Sequence, residues 1–584
     1  MTPQAAAGAP ARSPVACGAL GRYRREVVED IGRRLGVPMR EAHRDRGSIL
    51  LLDRAPIRWG RWRRRGLAWS ELPDAGRPER PSSWQAAAGA LRACGLELDG
   101  PRRFVHSSVT GIAPLYYVDR EGATYFASRI DPLVAGVGGS FTVDWEAWAS
   151  ILWLTHPVGD QTPFAEVRRL RPLERLRRDG ERSRVERPPW PWQRTESTLT
   201  VAEGVEPMLA ALRAAVRPLA AVPAVSLLSG GLDSRLLLAL AVEAGASDVR
   251  ALTLGSEEAQ PIQQRLAAEV AGYFGVPHEV RDYRDPEHYL EVWSEHALAV
   301  DFQRVRAPWI AVLGERLGEH RRLALDGLGL DALATHSSAE SPRFYRREMF
   351  EPRRPAELAR MLWRETMRMA TRGSPTELLS PQVARALARS SRRSFVAEAR
   401  AFAGHPSQPL LVRYATRTVR GVSSLPDQVL GAHAAVATPF VDDAVVRACL
   451  EIDPRDKLGF RLYDALFAAV DPGARRVAST VDPDAGRAPG ASSRAMRRSP
   501  AVAARFERLL AGGPLAPHYG EELRRLLAGG GLAEGLGRTP RLYRGVLALA
   551  LLGEWRERYS SLLGDVDAGE VLACEPPFRP LPSG

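Results

Sequence analysis

The chain has 584 residues, 45% hydrophobic and 26% charged, with 81 Lys plus Arg against 69 Asp plus Glu and a formal net charge of +12. At roughly 150 residues per unit this length predicts about three or four domain-sized units of ordinary globular composition. No apolar run reaches the ~18 residues that a membrane-spanning helix needs, and the start MTPQAAAGAPARSPVA lacks the apolar core of a secretory signal. Cys17, Cys94, Cys449 and Cys574 show no CxxC spacing, so neither a disulfide framework nor a zinc site is expected. The expected setting is reducing and cytoplasmic.

The basic excess is almost all arginine. The chain has one lysine, Lys457. The arginines are scattered, with short clusters such as Arg61-Trp62-Arg63-Arg64-Arg65, and no basic stripe interleaved with aromatics is present. We read the charge as a compositional bias and expect neither nucleic acid nor membrane as a partner.

In chain order, residues 1–17 read as a disordered Ala/Pro/Gly-rich tail. Residues 18–186 read as a β-rich domain. SILLLD (48–53), PLYYVD (114–119) and ATYFAS (123–128) have strand composition, and the last two, joined by Arg120-Glu121-Gly122, read as a hairpin. Residues 187–197, with Pro188-Pro189-Trp190-Pro191-Trp192, read as a stiff linker. From 198 to 584 the texture is α/β. A helix is predicted over 201–216, a strand over Ala224–Leu228, a helix from Arg235 to Ala244, a strand over Val249–Leu254, a helix over 262–274, and a third strand from about His278. This βαβ order predicts a parallel sheet. Beyond 350 the chain reads as mostly helical, with Gly/Pro-rich breaks near 482–491 and 512–515.

The chemistry concentrates at Leu228-Ser229-Gly230-Gly231-Leu232-Asp233-Ser234-Arg235, which follows a buried strand and opens a helix. Two glycines permit close backbone approach, and the helix N-terminus supplies unpaired N–H groups and a positive dipole end. The serines add hydroxyl donors, so the turn is an anion cradle, without the Gly-Lys-Ser/Thr of a Walker A loop.

SGGLDS resembles the pyrophosphate-binding loop of the PP-loop ATP pyrophosphatases, and within them the asparagine synthetase family. Val249–Gly255 is similar to the family's second strand, which lines the adenosine pocket. Leu325-Asp326-Gly327-Leu328-Gly329-Leu330-Asp331 resembles its SGxGxDE segment, and Pro426-Asp427 with Thr438-Pro439-Phe440-Val441-Asp442 its later R-x-D and P-F-L-D stretch. Thr110–Tyr117, Tyr125–Ser128, Thr162-Pro163-Phe164 and Arg168-Arg169-Leu170 are similar to its glutaminase-like, Ntn-hydrolase-like N-terminal domain.

The resemblance implies a PP-loop α/β synthetase domain with a helical C-terminal part, using ATP and Mg2+ to adenylate a carboxylate, release pyrophosphate and pass the acyl group to an amine. It implies that Leu228, Ser229, Gly230, Gly231, Asp233, Ser234, Arg235, Thr253, Leu254, Asp326 and Gly327 bind ATP or pyrophosphate, and that Asp233 and Asp331 hold the metal. The substrate is a small molecule or peptide carrying a carboxylate and an amine; a homodimer is compatible with the family.

The chain departs from the pattern in several places. Family glutaminases begin with cysteine, whereas Cys17-Gly18-Ala19-Leu20-Gly21 has sixteen residues before it, and the NGEIYN and RGPD strings are missing. A non-hydrolysing domain is expected, as in β-lactam synthetase and lasso-peptide macrolactam synthetases, which take the amine from the substrate. Leu328 and Ala332 replace expected glutamates; His336 or Glu340 are stand-ins. For the family's catalytic lysine the candidates are Lys457, offset by about two residues, and Arg461, against a solvated Lys457 at a helix start. The readings that remain are a natural-product amide ligase, an asparagine synthetase proper, and a catalytically silent nucleotide-binding homologue.

Overall fold

In the computed structural model the described residues are 13–61, 64–70, 92–179, 182–255, 261–282, 288–305, 310–334, 346–351, 353–370, 377–479, 499–528, 531–538, 542–564 and 566. Twelve strands come first: β1 (Ala16–Gly21), β2 (Arg40–Arg44), β3 (Ser48–Leu52), β4 (Ile57–Arg61), β5 (Arg64–Ser70), β6 (Ala93–Asp99), β7 (Arg102–His106), β8 (Tyr116–Arg120), β9 (Ala123–Ala127), β10 (Arg168–Arg169), β11 (Arg175–Asp179) and β12 (Arg182–Glu186). They form two six-stranded sheets, ordered β10-β8-β9-β1-β3-β2 and β12-β11-β7-β6-β5-β4, antiparallel throughout. The expected hairpin is β8–β9. Its turn residues Glu121 (φ 45°) and Gly122 (φ 80°) are both left-handed, the geometry that matches strand twist in a two-residue turn.

Period-two alternation sorts the side chains into layers. Ala16 and Leu20 of β1, Leu50 and Leu52 of β3 and Phe126 of β9 join Leu67, Leu96, Val105 and Leu176 of the other sheet in one core. The intervening residues Cys17, Ala19, Ile49, Leu51 and Tyr125 share a second core with Val28, Ile31, Ile130 and Leu133, from the helices Arg25–Arg34 and Ile130–Val137.

The Trp-rich stretch 187–197 is tightly packed. Trp192 is 0% exposed. The Trp190 indole N–H donates to Val109 O at 3.0 Å and that of Trp192 to Asp443 at 2.7 Å, so one ring anchors to each half of the chain.

A second sheet system follows the helix Val201–Ala220, which opens on a Thr200/Glu203 capping box. Strands β13 (Ala224–Leu227), β14 (Val249–Gly255), β15 (His278–Asp282), β16 (Leu323–Leu325) and β17 (Val436–Ala437) form one sheet in the order β15-β14-β13-β16-β17, parallel at every pairing. This is the parallel α/β arrangement the βαβ order predicts. The chain builds outward from β13 through β14 to β15, then returns to its other side for β16. The switch point therefore lies beside β13, where open α/β sheets bind ligands beyond the strand ends. The connection Leu232–Glu243 is buried from Leu236 to Ala241, as a helix enclosed on all sides must be.

Past 350 the described residues are mostly helical, as expected, with β17 as the exception. The last helix among the described residues, Tyr543–Arg558, packs against Trp145–Leu154 of the N-terminal half: Trp148 and Trp555 meet edge-on at 5.2 Å, with Phe164 5.1 Å from Trp555. One continuous core thus runs through both halves. No helix among the described residues is long and apolar enough to cross a membrane. Trp148→Ala should lower stability by about 3–5 kcal/mol, read as a shift in the urea midpoint.

Candidate functional site

Strand register sets the site. Leu227 of β13 pairs with Leu252 of β14, and Ser226 with Leu325 of β16, so the segments leaving these strands, Leu228–Ser234, Thr253–Leu254 and Asp326–Asp331, emerge at one level. They line a cavity of about 380 Å³ together with Ile310, Leu313, Arg417, Val422, Leu425, Pro426 and Leu430. Of the residues expected to bind ATP or the metal, Leu228, Ser229, Asp233, Ser234, Thr253, Leu254, Asp326, Gly327 and Asp331 line it, whereas Gly230, Gly231 and Arg235 do not.

The loop is held open by its own hydroxyls. Ser234 Oγ accepts from the Ser229 N–H at 3.2 Å and lies 3.2 Å from Ser229 Oγ. Gly230 has φ +71°, and a Cβ there would lie 2.8 Å from Leu266 Cβ, so both conformation and space demand glycine. Gly231 caps the helix without a side chain, leaving first-turn N–H groups for an anion. Arg235 turns away. It is 0% exposed and donates to Ala474 O at 3.0 Å and to Ala478 O at 2.7 Å, so it ties the loop helix to residues 474–478.

Three carboxylates converge here. Burial and the facing Asp331 hold the Asp233 carboxyl well above the usual range, against a hydrogen bond from the Tyr463 hydroxyl. Asp326 is pushed up to about 6 by burial, although its Oδ1 accepts the Leu328 N–H at 2.8 Å. Asp331 meets the guanidinium groups of Arg417 at 2.8 Å and Arg413 at 3.4 Å. Leu328 is 6% exposed and Ala332 0%, so neither brings a polar group; His336 and Glu340 lie outside the described residues. Among the described residues no cluster of three or more His, Cys, Asp or Glu could cage a metal. Asp233 and Asp331 are the carboxylates here that could meet Mg2+, a cation that takes one or two carboxylates and fills its shell from water and phosphate oxygens.

Thr253 fixes the wall. Its hydroxyl donates to Leu228 O at 2.7 Å, which leaves it to accept from His278 Nε2 at 2.8 Å; burial lowers the His278 pKa, favouring the neutral ring.

Neither expected cation lines the cavity. Gly459 (φ 72°) and Phe460 (φ 69°) are both left-handed and reverse the chain just before the helix Arg461–Val470. Lys457 is consequently not solvated but 0% exposed, its Nζ donating to Leu333 O at 3.0 Å and Cys449 O at 2.8 Å. Arg461 is exposed and paired with Asp456. The side chain that this helix does send to the site is Tyr463. It stands two residues after Arg461, in a stretch where charge drew the attention. Arg413 and Arg417 gave no signal in so arginine-rich a chain.

Cys17 is the second residue of β1, 0% exposed, with its Sγ against Val28 O and its thiol pushed up to about 12 by burial. The preceding residues are built in: the Val15 N–H donates to Asp53 at 3.1 Å and the Ala16 N–H to Ser128 Oγ at 2.9 Å.

A parallel sheet with a glycine turn feeding a buried helix at its switch point, faced by carboxylates, forms the kind of crevice in which open α/β sheets bind ligands. Residues 208–461, under half of the chain, match the family model described as Asparagine synthase, which supports an ATP-dependent ligase of the asparagine synthetase kind. The match spans the five parallel strands and the cavity and stops just short of Tyr463. No curated protein matches the chain.

Lys457→Met should cost about 1–3 kcal/mol, because two buried carbonyls lose their donor, whereas Arg461→Met should stay within about 0.5 kcal/mol; thermal melts of the two variants compare them. At pH 8 iodoacetamide should leave Cys17 unlabelled in the native protein and label it after guanidinium, as peptide mapping reads.

Proposed function

We propose that the chain is an ATP-dependent amide ligase that adenylates a substrate carboxylate, releases AMP and pyrophosphate, and joins the acyl group to an amine of the substrate itself, without hydrolysing glutamine. The observation that carries this reading is the convergence of the Ser229–Ser234 turn with Asp233 and Asp331 at the switch point, beside an apolar wall of Leu254, Ile310 and Leu313.

The division of labour follows from chemistry. The apolar wall takes the adenine face, as pockets for flat heterocycles do. Backbone N–H groups of the turn and the two serines grip pyrophosphate. Asp233 and Asp331 would hold Mg2+, which supplies charge neutralisation on the phosphates when bound. The Tyr463 hydroxyl orients Asp233, and Gly327 keeps the acidic segment against the turn. Adenylation forms the acyl–phosphate bond as the bond to pyrophosphate breaks; amide formation then expels AMP.

The missing glutaminase step rests on Cys17. Its nitrogen lies within a hydrogen-bonded strand, its thiol is raised to about 12, and it faces a helix layer. Peptide macrolactam formation or a related natural-product cyclisation supplies both reacting groups from one molecule, which suits a chain whose Cys17 thiol is buried.

Pyrophosphate release with a panel of amino-acid and peptide carboxylates tests the reading. Wild type should release pyrophosphate with at least one of them, and Asp233→Ala should reduce the rate by about 10²–10³-fold. Glutamate formed from glutamine by the intact chain would overturn the glutamine-independent part. ATP binding without release across the panel would favour a silent nucleotide-binding homologue.

A further inference from the structure

The seam between the N-terminal half and the α/β half buries two arginines that meet neutral oxygens. Arg169 stands in β10 directly opposite Tyr116 of β8 and is 6% exposed. Its guanidinium donates to Gly111 O at 2.6 Å and to Ile112 O at 3.2 Å. Arg420 arrives from the other half, on the segment Tyr414–Val422, which is wound as π-helix. Such winding is rare and concentrates at functional sites. Arg420 is 4% exposed, and its Nη2 donates to Gln161 O and to Gln303 Oε1, the latter at 3.1 Å. The Gln303 amide donates in turn to the Tyr116 hydroxyl at 2.7 Å. Both arginines thus converge on one tyrosine. Burial, with the charge of Arg169 close by, pushes the Arg420 pKa down to about 9, so it is still charged at neutral pH.

The surrounding carboxylates are taken. Asp144 pairs with Arg168 at 2.8 Å, Glu174 with Arg187 at 2.6 Å and Asp301 with Arg129 at 3.2 Å. Asp160 and Glu398 meet Arg171 at 3.5 and 3.1 Å and act on Arg420 only through space. His156, packed on Gly421, adds no charge, because burial drops its pKa to about 3. The Nε and Nη1 of Arg420 are buried without a hydrogen-bond partner among the described residues. Buried N–H groups are ordinarily satisfied and buried charges neutralised. A water molecule would answer the N–H groups and leave the charge; an anion answers both. The depth of both arginines favours a monatomic ion over an anion carried on an organic chain.

We propose that Arg420 and Arg169 form a binding site for a halide ion, chloride in the first instance, buried in the seam between the two halves. It is separate from the nucleotide cavity, which neither arginine lines. The ion accepts from the Nε and Nη1 of Arg420 and ties the π-wound segment to the β10–β8 pair. Arg417 and Val422 of that segment line the cavity, so the ion holds one cavity wall in place from behind.

Thermal melts of the full chain in sodium chloride and in sodium gluconate at equal ionic strength test this, gluconate being an anion on an organic chain. A ligand that binds the folded state raises its midpoint. Above half-saturation wild type should gain about 1 °C per tenfold rise in chloride, given the unfolding entropy of a chain this long, and bromide should replace chloride. Arg420→Met and Arg169→Met, each checked for folding by circular dichroism, should show no such rise. Arg461→Met, which removes an exposed arginine, should keep it. Identical wild-type midpoints in the two salts overturn the proposal. So does a chloride rise kept in Arg420→Met or Arg169→Met, or lost in Arg461→Met, which marks a general salt effect. Equilibrium dialysis of wild type against radioactive chloride gives a reading that needs no variant: one ion retained per chain supports the site, and none retained overturns it.

Discussion

Everything at the switch point depends on how closely two backbone segments approach. Gly327 follows β16 and lies against the first turn of the helix Leu232–Glu243. A Cβ at that position would stand 3.0 Å from Asp233 Cβ and 3.1 Å from the Ser234 nitrogen. This approach brings the acidic segment of one strand against the glycine turn of its neighbour. Asp331 can then raise the carboxyl of Asp233 through space. Without it the sheet would still form, but its two carboxylates would belong to separate loops. The same economy recurs at Gly329, whose φ of +106° brings it onto Val441 and so ties the acidic segment to the residues following β17.

Much of this was legible in the sequence because local rules govern it. The β13–turn–helix unit and the next two strands are read from apolar runs and glycines, and the Asp326–Asp331 segment from its resemblance to a family motif; the structure brings the turn, the end of β14 and the acidic segment to one cavity. Glu121-Gly122 gave the hairpin for the same reason: two left-handed residues leave few alternatives. What escaped depends on chain reversals and long-range packing. Lys457 and Tyr463 are six residues apart, and it is Tyr463, beyond the left-handed pair Gly459 and Phe460, that reaches Asp233, which spacing alone does not reveal. Arg417 reaches the site because its segment is π-wound; an α-helical reading of the same residues would have turned a different face.

Burial gives the chain's single lysine a different meaning from its arginines. A compact ammonium fits between the carbonyls of Leu333 and Cys449, where a planar guanidinium would need a wider slot. Desolvation lowers its pKa, yet its neighbours in space are carbonyl oxygens of the acidic segment's helix and of the helix Asp443–Glu451. It therefore braces the underside of the region whose upper side carries Asp331.

The helix Tyr543–Arg558 closes the core of the N-terminal half. Trp148, Phe164 and Phe141 are completed by Trp555, Tyr559 and the Leu562–Leu563 segment, nearly 400 residues further along. At the usual ~5–20 residues per second of synthesis, those aromatics wait about 20–80 s for their cover. The N-terminal half thus leaves the ribosome with an open apolar flank, and its core closes only once Trp555 and Tyr559 have been made.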